Sequence, residues 1–209
     1  MDVTVCTPTI PAREQLLVRA AESVQRQTCQ VMMQIELDDA GEGAAATRNR
    51  AWRNASTEWV AFLDDDDELR PEHVTACLEH ARDTGADLVY PWFNIHNAAG
   101  NDISGNDPLR APVDGHYVSP YGTRFSDDLK HELMTRNNFI PVTVLVRREL
   151  LADVGGFPIP GSPEWGDNCC EDWGLWRRLL NAGARFEHLP RRTWIWYWHG
   201  RNTSGKPWK

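Results

Sequence analysis

Four consecutive carboxylates, Asp64-Asp65-Asp66-Asp67, follow directly on the apolar run Trp59 to Leu63. Adjacent like charges at a strand end repel one another, and a divalent cation with hard oxygen ligands, shared with a phosphate, is an effective compensation. The run therefore marks a candidate metal and diphosphate site. The competing reading is a solvated acidic loop in which Asp67 or Glu68 decorates the N-terminus of the helix that Pro71 begins. A second acidic pair, Asp38-Asp39, closes another apolar stretch, Val31 to Leu37, and is followed by the turn residues Ala40-Gly41-Glu42-Gly43.

The elements around these runs alternate in type. Val3 to Cys6 reads as a first strand that stops at Thr7-Pro8-Thr9, and Arg13 to Gln27 as a helix whose Leu16, Leu17, Ala20, Ala21 and Val24 form one apolar stripe. The strand Val31 to Leu37, an Ala-rich helix over Ala44 to Ala55, the strand Trp59 to Leu63, a helix from Pro71 to Gly85 and the strand Leu88 to Phe93 follow. Strand and helix in strict alternation predict a mostly parallel α/β sheet flanked by helices. Such sheets bind ligands beyond the carboxyl ends of their strands, where Thr7, Asp38, Asp39 and the run from Asp64 to Asp67 all fall. Asn94 to Tyr121 reads as an irregular or hairpin insertion, rich in Gly, Asn, Asp and Pro. Beyond it the pattern predicts a helix within Phe125 to Arg136 capped by Ser126, a strand Val142 to Val146 and a short helix closed by Gly155-Gly156. A strong helix from Glu171-Asp172 to Asn181 precedes two strands, Arg185 to Leu189 and Thr193 to Trp198, and a basic tail.

The chain has 209 residues and shows no composition break, so a single domain is expected. Its net charge of -8 weighs against affinity built on neutralising nucleic-acid phosphates. It shows neither a secretory signal nor an apolar run of membrane-spanning length, which predicts a soluble cytoplasmic protein. Five cysteines without metal-ligand spacing predict reduced thiols, with Cys169-Cys170 as small packing groups. Among the ten tryptophans, Trp194, Trp196 and Trp198 alternate with Ile195 and Tyr197, as in a strand buried on both faces; an aromatic platform for sugar is the second reading.

Taken in order, these segments resemble the GT-A nucleotide-sugar glycosyltransferases, specifically the inverting enzymes of glycosyltransferase family 2. Thr7-Pro8-Thr9, Asp38-Asp39 and Ala46-Thr47-Arg48-Asn49 are similar to the nucleoside side of that fold. Phe62-Leu63-Asp64-Asp65-Asp66-Asp67 with Pro71 is similar to its acidic metal motif. Val154-Gly155-Gly156-Phe157 and Glu171-Asp172-Trp173-Gly174-Leu175-Trp176 resemble its acceptor-side half, and His199 with Asn202-Thr203-Ser204 its closing tail. Two segments depart from the usual pattern: Asp38-Asp39-Ala40-Gly41 stands where Asp-Asp-Gly-Ser is commoner, and Ile10-Pro11-Ala12-Arg13 where an aromatic-Asn-Arg is usual. Both touch base and ribose contacts and leave the nucleotide open.

The resemblance implies a GT-A fold of one domain, with residues 1–93 as the nucleotide-sugar half and 94–209 as the acceptor half and tail. It implies Mn²⁺ or Mg²⁺ on Asp66, with Asp64 on the ribose or a metal-bound water, Asp65 and Asp67 as substitutes, and His199 as a further ligand or diphosphate contact. Thr7, Pro8, Thr9, Asp38, Asp39, Asp64 and Asp65 are expected against the donor, and Arg48, Arg201, Thr203, Ser204 and Lys206 against its diphosphate. Asp172 is the implied general base, with Glu171 as the alternative; otherwise the pair would be a helix cap and a surface charge. The donor expected first carries UDP, then GDP or dTDP, and the hydroxyl acceptor is unassigned among protein, glycan and, less favoured, a modified nucleic-acid base. Two other classes compete. A sugar nucleotidyltransferase would carry a Gly-rich basic loop where this chain has Thr7-Pro8-Thr9. A non-catalytic carbohydrate-binding protein would have no need of Asp64, Asp66 and Asp172 together.

Overall fold

In the computed structural model, residues 2–104, 124–163, 165, 170–200 and 202 are described. The first strand, β1 (Val3–Thr9), runs three residues past the expected stop at Cys6. It pairs in parallel with β2 (Met32–Leu37) out to Thr9↔Leu37 but with β3 (Trp59–Phe62) only as far as Cys6↔Phe62. Cys6 O accepts from Leu63 N and Thr9 O from Asp38 N. By alternation Pro8 faces the β3 side beyond that strand's end, where a missing N–H costs no ladder bond.

The remaining strands are β4 (Glu68–Leu69), β5 (Leu88–Asn97), β6 (Leu145–Arg147) and β7 (Phe186–Trp198), in the order β2-β1-β3-β6-β5-β7-β4. In that seven-stranded sheet β6 opposes both its neighbours and β4 opposes β7, so the other five share one direction. The sheet is thus mostly parallel, as expected. Several boundaries differ from expectation. The two predicted C-terminal strands are one, β7, whose register against β5 slips around Pro91, Trp92 and Phe93, opposite the Pro190-Arg191 stretch. That bulge explains the apparent break in the sequence pattern. Strand β5 continues through Asn97 because β7 supplies a partner out to Trp198, and the insertion begins only at the turn that follows. Strand β6 starts at Leu145 rather than Val142, since Val144 N turns back onto Val142 O. The two-residue β4 had no sequence signal.

Helices cover both faces. On one lie α1 (Glu14–Gln25), entered through a 3₁₀ turn over Pro11–Arg13, and α3 (His73–Thr84). On the other lie α2 (Ala44–Asn54), α4 (Asp127–Thr135), α5 (Arg148–Val154) and α6 (Glu171–Asn181). Alternate strand residues divide between the two cores. Val60, Phe62, Leu88 and Tyr90 pack with Trp52, Leu151 and Trp176, while Trp59, Ala61 and Val89 pack with Val24, Val74 and Leu78. Ser126 Oγ accepts from Leu129 N, giving α4 its expected cap. Trp194 is core, whereas Trp196 and Trp198 are only partly buried and pack on each other.

Candidate active site

After β3 the chain turns tightly, Asp67 N donating to Asp64 O at 3.2 Å, and the turn holds four carboxylates in four different environments. Asp64 is half-buried, and its Oδ1 accepts from Arg48 Nη2 at 2.6 Å. Asp65 is buried and accepts from Thr9 Oγ1 at 2.7 Å and Arg13 Nη1 at 3.0 Å. Asp66 Oδ2 lies 3.3 Å from the same Arg13 nitrogen and 2.9 Å from His199 Nε2. Asp67 accepts from the Tyr197 backbone N–H at 3.0 Å. Burial, then its neighbours Asp66 and Asp64, push the Asp67 carboxyl well above the usual carboxylate range.

One oxygen from each of Asp64, Asp66 and Asp67 falls within 4.8 Å of the others. Three convergent carboxylates are hard donors of the kind Mg²⁺ and Mn²⁺ take, and burial, with the neighbouring charges of Asp66 and Asp64 second, disfavours the charged form of Asp67. The donor set therefore fits a divalent cation. His199 is brought to the site as a partner of Asp66, at the end of β7, its own N–H donating to Asn202 Oδ1. Arg201, Thr203, Ser204 and Lys206 lie outside the described residues.

On the nucleoside side, Thr7 is fully buried and its Oγ1 has no hydrogen-bond partner among the described residues. Asp38 is buried, but its two oxygens accept from Glu42 N and Gly43 N, each at 2.8 Å. Those N–H donors, Gly43 first, hold its carboxyl below the usual range. Gly43, at φ 90°, makes this return possible just before α2, and Asp39 stays exposed.

Arg48 stands one turn into α2 and is almost wholly buried. Its Nη2 holds Asp64 and its Nη1 donates to Glu171 Oε1 at 2.8 Å, with the Phe157 ring 5.6 Å from the guanidinium. The next residue fixes Phe157 itself: Asn49 Nδ2 donates to Phe157 O at 2.8 Å, and Asn49 Oδ1 accepts from Phe157 N at 2.9 Å. A Cβ at Gly156 would come within 2.2 Å of Asn49 Oδ1, so the Gly155-Gly156 pair permits this close approach. Glu171 and Asp172 form the first turn of α6. Asp172 is half-buried; burial, then Glu171, raise its carboxyl, against the pull of Cys170 and the Trp173 N–H.

Sequence reasoning missed three contributors. Arg13 bridges Asp65 and Asp66, Arg19 donates to Asp66 O and stacks 3.5 Å over the Tyr197 ring, and Tyr197 both holds Asp67 and donates its hydroxyl to Glu68 at 3.0 Å. Arg13 carried one signal, its place directly after the first strand's loop; the other two carried none.

A curled, mostly parallel sheet with helices on both faces and an acidic turn at its carboxyl edge defines the GT-A class of nucleotide-sugar glycosyltransferases. The sequence pattern of "Glycosyl transferase family 2" matches residues 35–155, and the chain belongs to that family. It is similar to a pre-mycofactocin glycosyltransferase of Mycobacterium tuberculosis, 29% identical over 150 residues, covering 71% of this chain and 29% of that protein. It is also similar to glycosyltransferase AglE of Haloferax volcanii, 26% identical over 126 residues, covering 60% of this chain and 37% of AglE. The chain thus spans about a third of the length of these relatives. Among solved structures, S. aureus TarS 1–349 in complex with UDP-GlcNAc superposes with a TM-score of 0.67 at 16% identity, over 99% of this chain and 62% of that one. Its UDP complex superposes with a TM-score of 0.65 at 16% identity, over 95% and 61%. These two establish likeness of fold.

Proposed function

We propose that this chain is a metal-dependent, inverting transferase that moves a sugar from a nucleoside diphosphate-sugar to a hydroxyl acceptor. The observation that carries the reading is the convergence of Asp64, Asp66 and Asp67, joined through Arg48 to the helix end that bears Glu171 and Asp172. Asp66, with Asp64 or Asp67 and His199 beside it, would hold Mn²⁺ or Mg²⁺, which when bound would supply Lewis-acid stabilisation of the departing nucleoside diphosphate. Thr7, Pro8, Thr9, Asp38 and Asp39 line the nucleoside side, and Asp65, pinned by Thr9 and Arg13, shapes the floor below it. Asp172 takes the proton of the acceptor hydroxyl. The freed oxygen bonds to the anomeric carbon from the face opposite the diphosphate, and the carbon–oxygen bond to the diphosphate breaks, inverting the centre. Glu171 is already engaged by Arg48, and burial, then Glu171, raise the Asp172 carboxyl, which makes it a stronger proton acceptor than an ordinary carboxylate.

UDP is the first nucleotide to test, supported by a structural neighbour solved with UDP and UDP-GlcNAc; GDP and dTDP follow. No helix among the described residues is long and apolar enough to cross a membrane, and we place the domain in the cytoplasm. Residues 1–93 form its donor half and 94–209 its acceptor half. The deciding experiment is calorimetric titration of UDP with and without Mn²⁺. Metal-dependent binding, together with hydrolysis of a UDP-sugar, supports the transferase, whereas UDP-sugar binding without any hydrolysis or transfer points to a non-catalytic binding protein. Asp172→Asn is expected to retain UDP affinity and lose about 100- to 10,000-fold in turnover; unchanged turnover would reject Asp172 as the base.

A further inference from the structure

Arg48 has more carboxylate contact than a surface phosphate-binding arginine would show. The residue is 5% exposed, both Nη atoms are occupied by carboxylates, and Nε has no partner among the described residues. The two carboxylates come from opposite halves of the chain: Asp64 is 16 residues away, at the end of β3, and Glu171 is 123 residues away, at the start of α6. Each is bound through a single oxygen, Asp64 by Oδ1 and Glu171 by Oε1. Both carboxylate side chains are roughly a quarter to a third exposed, so each stays reachable from solvent while the arginine between them is sealed.

The geometry points to Arg48 as a positioning residue that sets the base-bearing end of α6 against the metal-bearing end of β3, rather than as a diphosphate contact. This rests on the transferase reading above. An arginine cannot lose its charge in a protein, and burying that charge without a partner is strongly unfavourable. Arg48 therefore holds Asp64 and Glu171 at one separation through its rigid planar fork, which a lysine's single ammonium does not reproduce. The platform is fixed in turn. Phe157 underlies the guanidinium, Asn49 clamps Phe157 through its backbone N–H and C=O, and Arg178 Nη1 donates to Gly156 O at 3.1 Å, tying α6 to the same loop. Asp172 is covalently next to Glu171, so any slack in the bridge moves the base relative to the anomeric carbon. A displacement of about 1 Å at a reacting group can cost about 100-fold in rate.

Two measurements test this, one without turnover. In urea unfolding of the metal-free protein, Asp64→Asn and Glu171→Gln share Arg48, so their destabilisations are expected to be non-additive, and to become additive in an Arg48→Lys background. Additive effects in the wild-type background would overturn the bridge, whatever the protein's activity. In the second, Arg48→Lys is assayed by UDP-GlcNAc hydrolysis and by UDP titration with Mn²⁺. Hydrolytic kcat is expected to fall about 100-fold, with UDP affinity within about threefold of wild type. Glu171→Gln, which breaks the bridge from its more exposed end, is expected to give the same split, and the double variant to be no worse than either alone. A large loss of UDP affinity at unchanged kcat would overturn the proposal in favour of a phosphate contact. A Glu171→Gln loss far exceeding that of Arg48→Lys would overturn it in favour of Glu171 as the base. Absence of UDP binding and hydrolysis in the wild type would count against the transferase reading, and the unfolding cycle would still decide the bridge.

Discussion

Two strand ends of this molecule carry nearly the same sequence signature and meet opposite fates. After β2, Asp38-Asp39 follows an apolar strand, and after β3 so does the run from Asp64 to Asp67. At the first, the chain folds back so that Glu42 and Gly43 present their backbone N–H groups to both oxygens of Asp38, and the charge is settled locally while Asp39 faces water. At the second, Asp65 is held by Thr9 and Arg13, and Asp64, Asp66 and Asp67, though each has a donor from elsewhere in the fold, still bring one oxygen apiece within 4.8 Å of the others, where burial and then Asp66 and Asp64 raise the Asp67 carboxyl. The difference is one of donors. Where carboxylate oxygens converge in a buried turn, as those of Asp64, Asp66 and Asp67 do, the donor set fits a divalent cation; where backbone N–H groups meet both oxygens, as at Asp38, it does not.

That contrast can be broken most sharply at Asp66. Asp66→Asn removes one convergent charge and is expected to lower metal-dependent turnover by about 100- to 1000-fold while Asp38→Asn leaves the Mn²⁺ dependence intact. Near-normal Mn²⁺-dependent turnover in Asp66→Asn would remove the acidic turn from the mechanism.

The two ends also differ in the sign of their linkage to pH. Asp67 has its folded pKa raised from 3.8, so its contribution to stability is complete below 3.8 and is lost as pH rises through the folded value. Asp38 has its folded pKa lowered from 3.8, so its contribution is present above 3.8 and is lost as pH falls through the folded value. Carboxyl titration by NMR is expected to find Asp67 above and Asp38 below the ordinary range. Added Mg²⁺ should pull Asp67 down and leave Asp38 unmoved. Thermal melting should accordingly show a larger Mg²⁺ stabilisation at pH 8 than at pH 5, and an equal gain at both would contradict the charge convergence.

The smallest effect is expected at Asp38 itself. Asp38→Ala leaves the N–H groups of Glu42 and Gly43 without their acceptor and should lower the melting temperature by a few degrees, with the ratio of UDP affinities with and without Mn²⁺ unchanged. A change in that ratio would mean that the two ends are coupled after all.

Much of the fold was legible. Periodicity located the first four long strands, the helices α1 to α3 and the capped α4, because each is settled by nearby apolar spacing and cap chemistry. The pattern was silent on β4, whose two residues are a strand only because β7 lies beside them, and it split β7 at Pro190, since a bulge and a chain break look alike in one dimension. It also gave no reason for β6 to enter the sheet between β3 and β5 against their direction. At the site, the types of residue were legible and their partners were not. The acidic run, Asp172 and His199 stood out as residues able to do chemistry, whereas Arg13 was marked only as part of a segment near base and ribose, with no link to the carboxylates, and Arg19 and Tyr197 looked like ordinary members of a helix face and a strand.

The sequence by itself determined the alternation of strand and helix, the placement of its carboxylates beyond strand ends and the ordered motifs of family 2, because these depend on neighbours a few residues apart. Only the tertiary structure decided which carboxylates converge, that His199 reaches Asp66 across 133 residues, and that Arg48 spends both arms on Asp64 and Glu171. Charge compensation depends on distance in space, and a buried guanidinium takes whichever partners the packing of β3, α2 and α6 brings within about 3 Å.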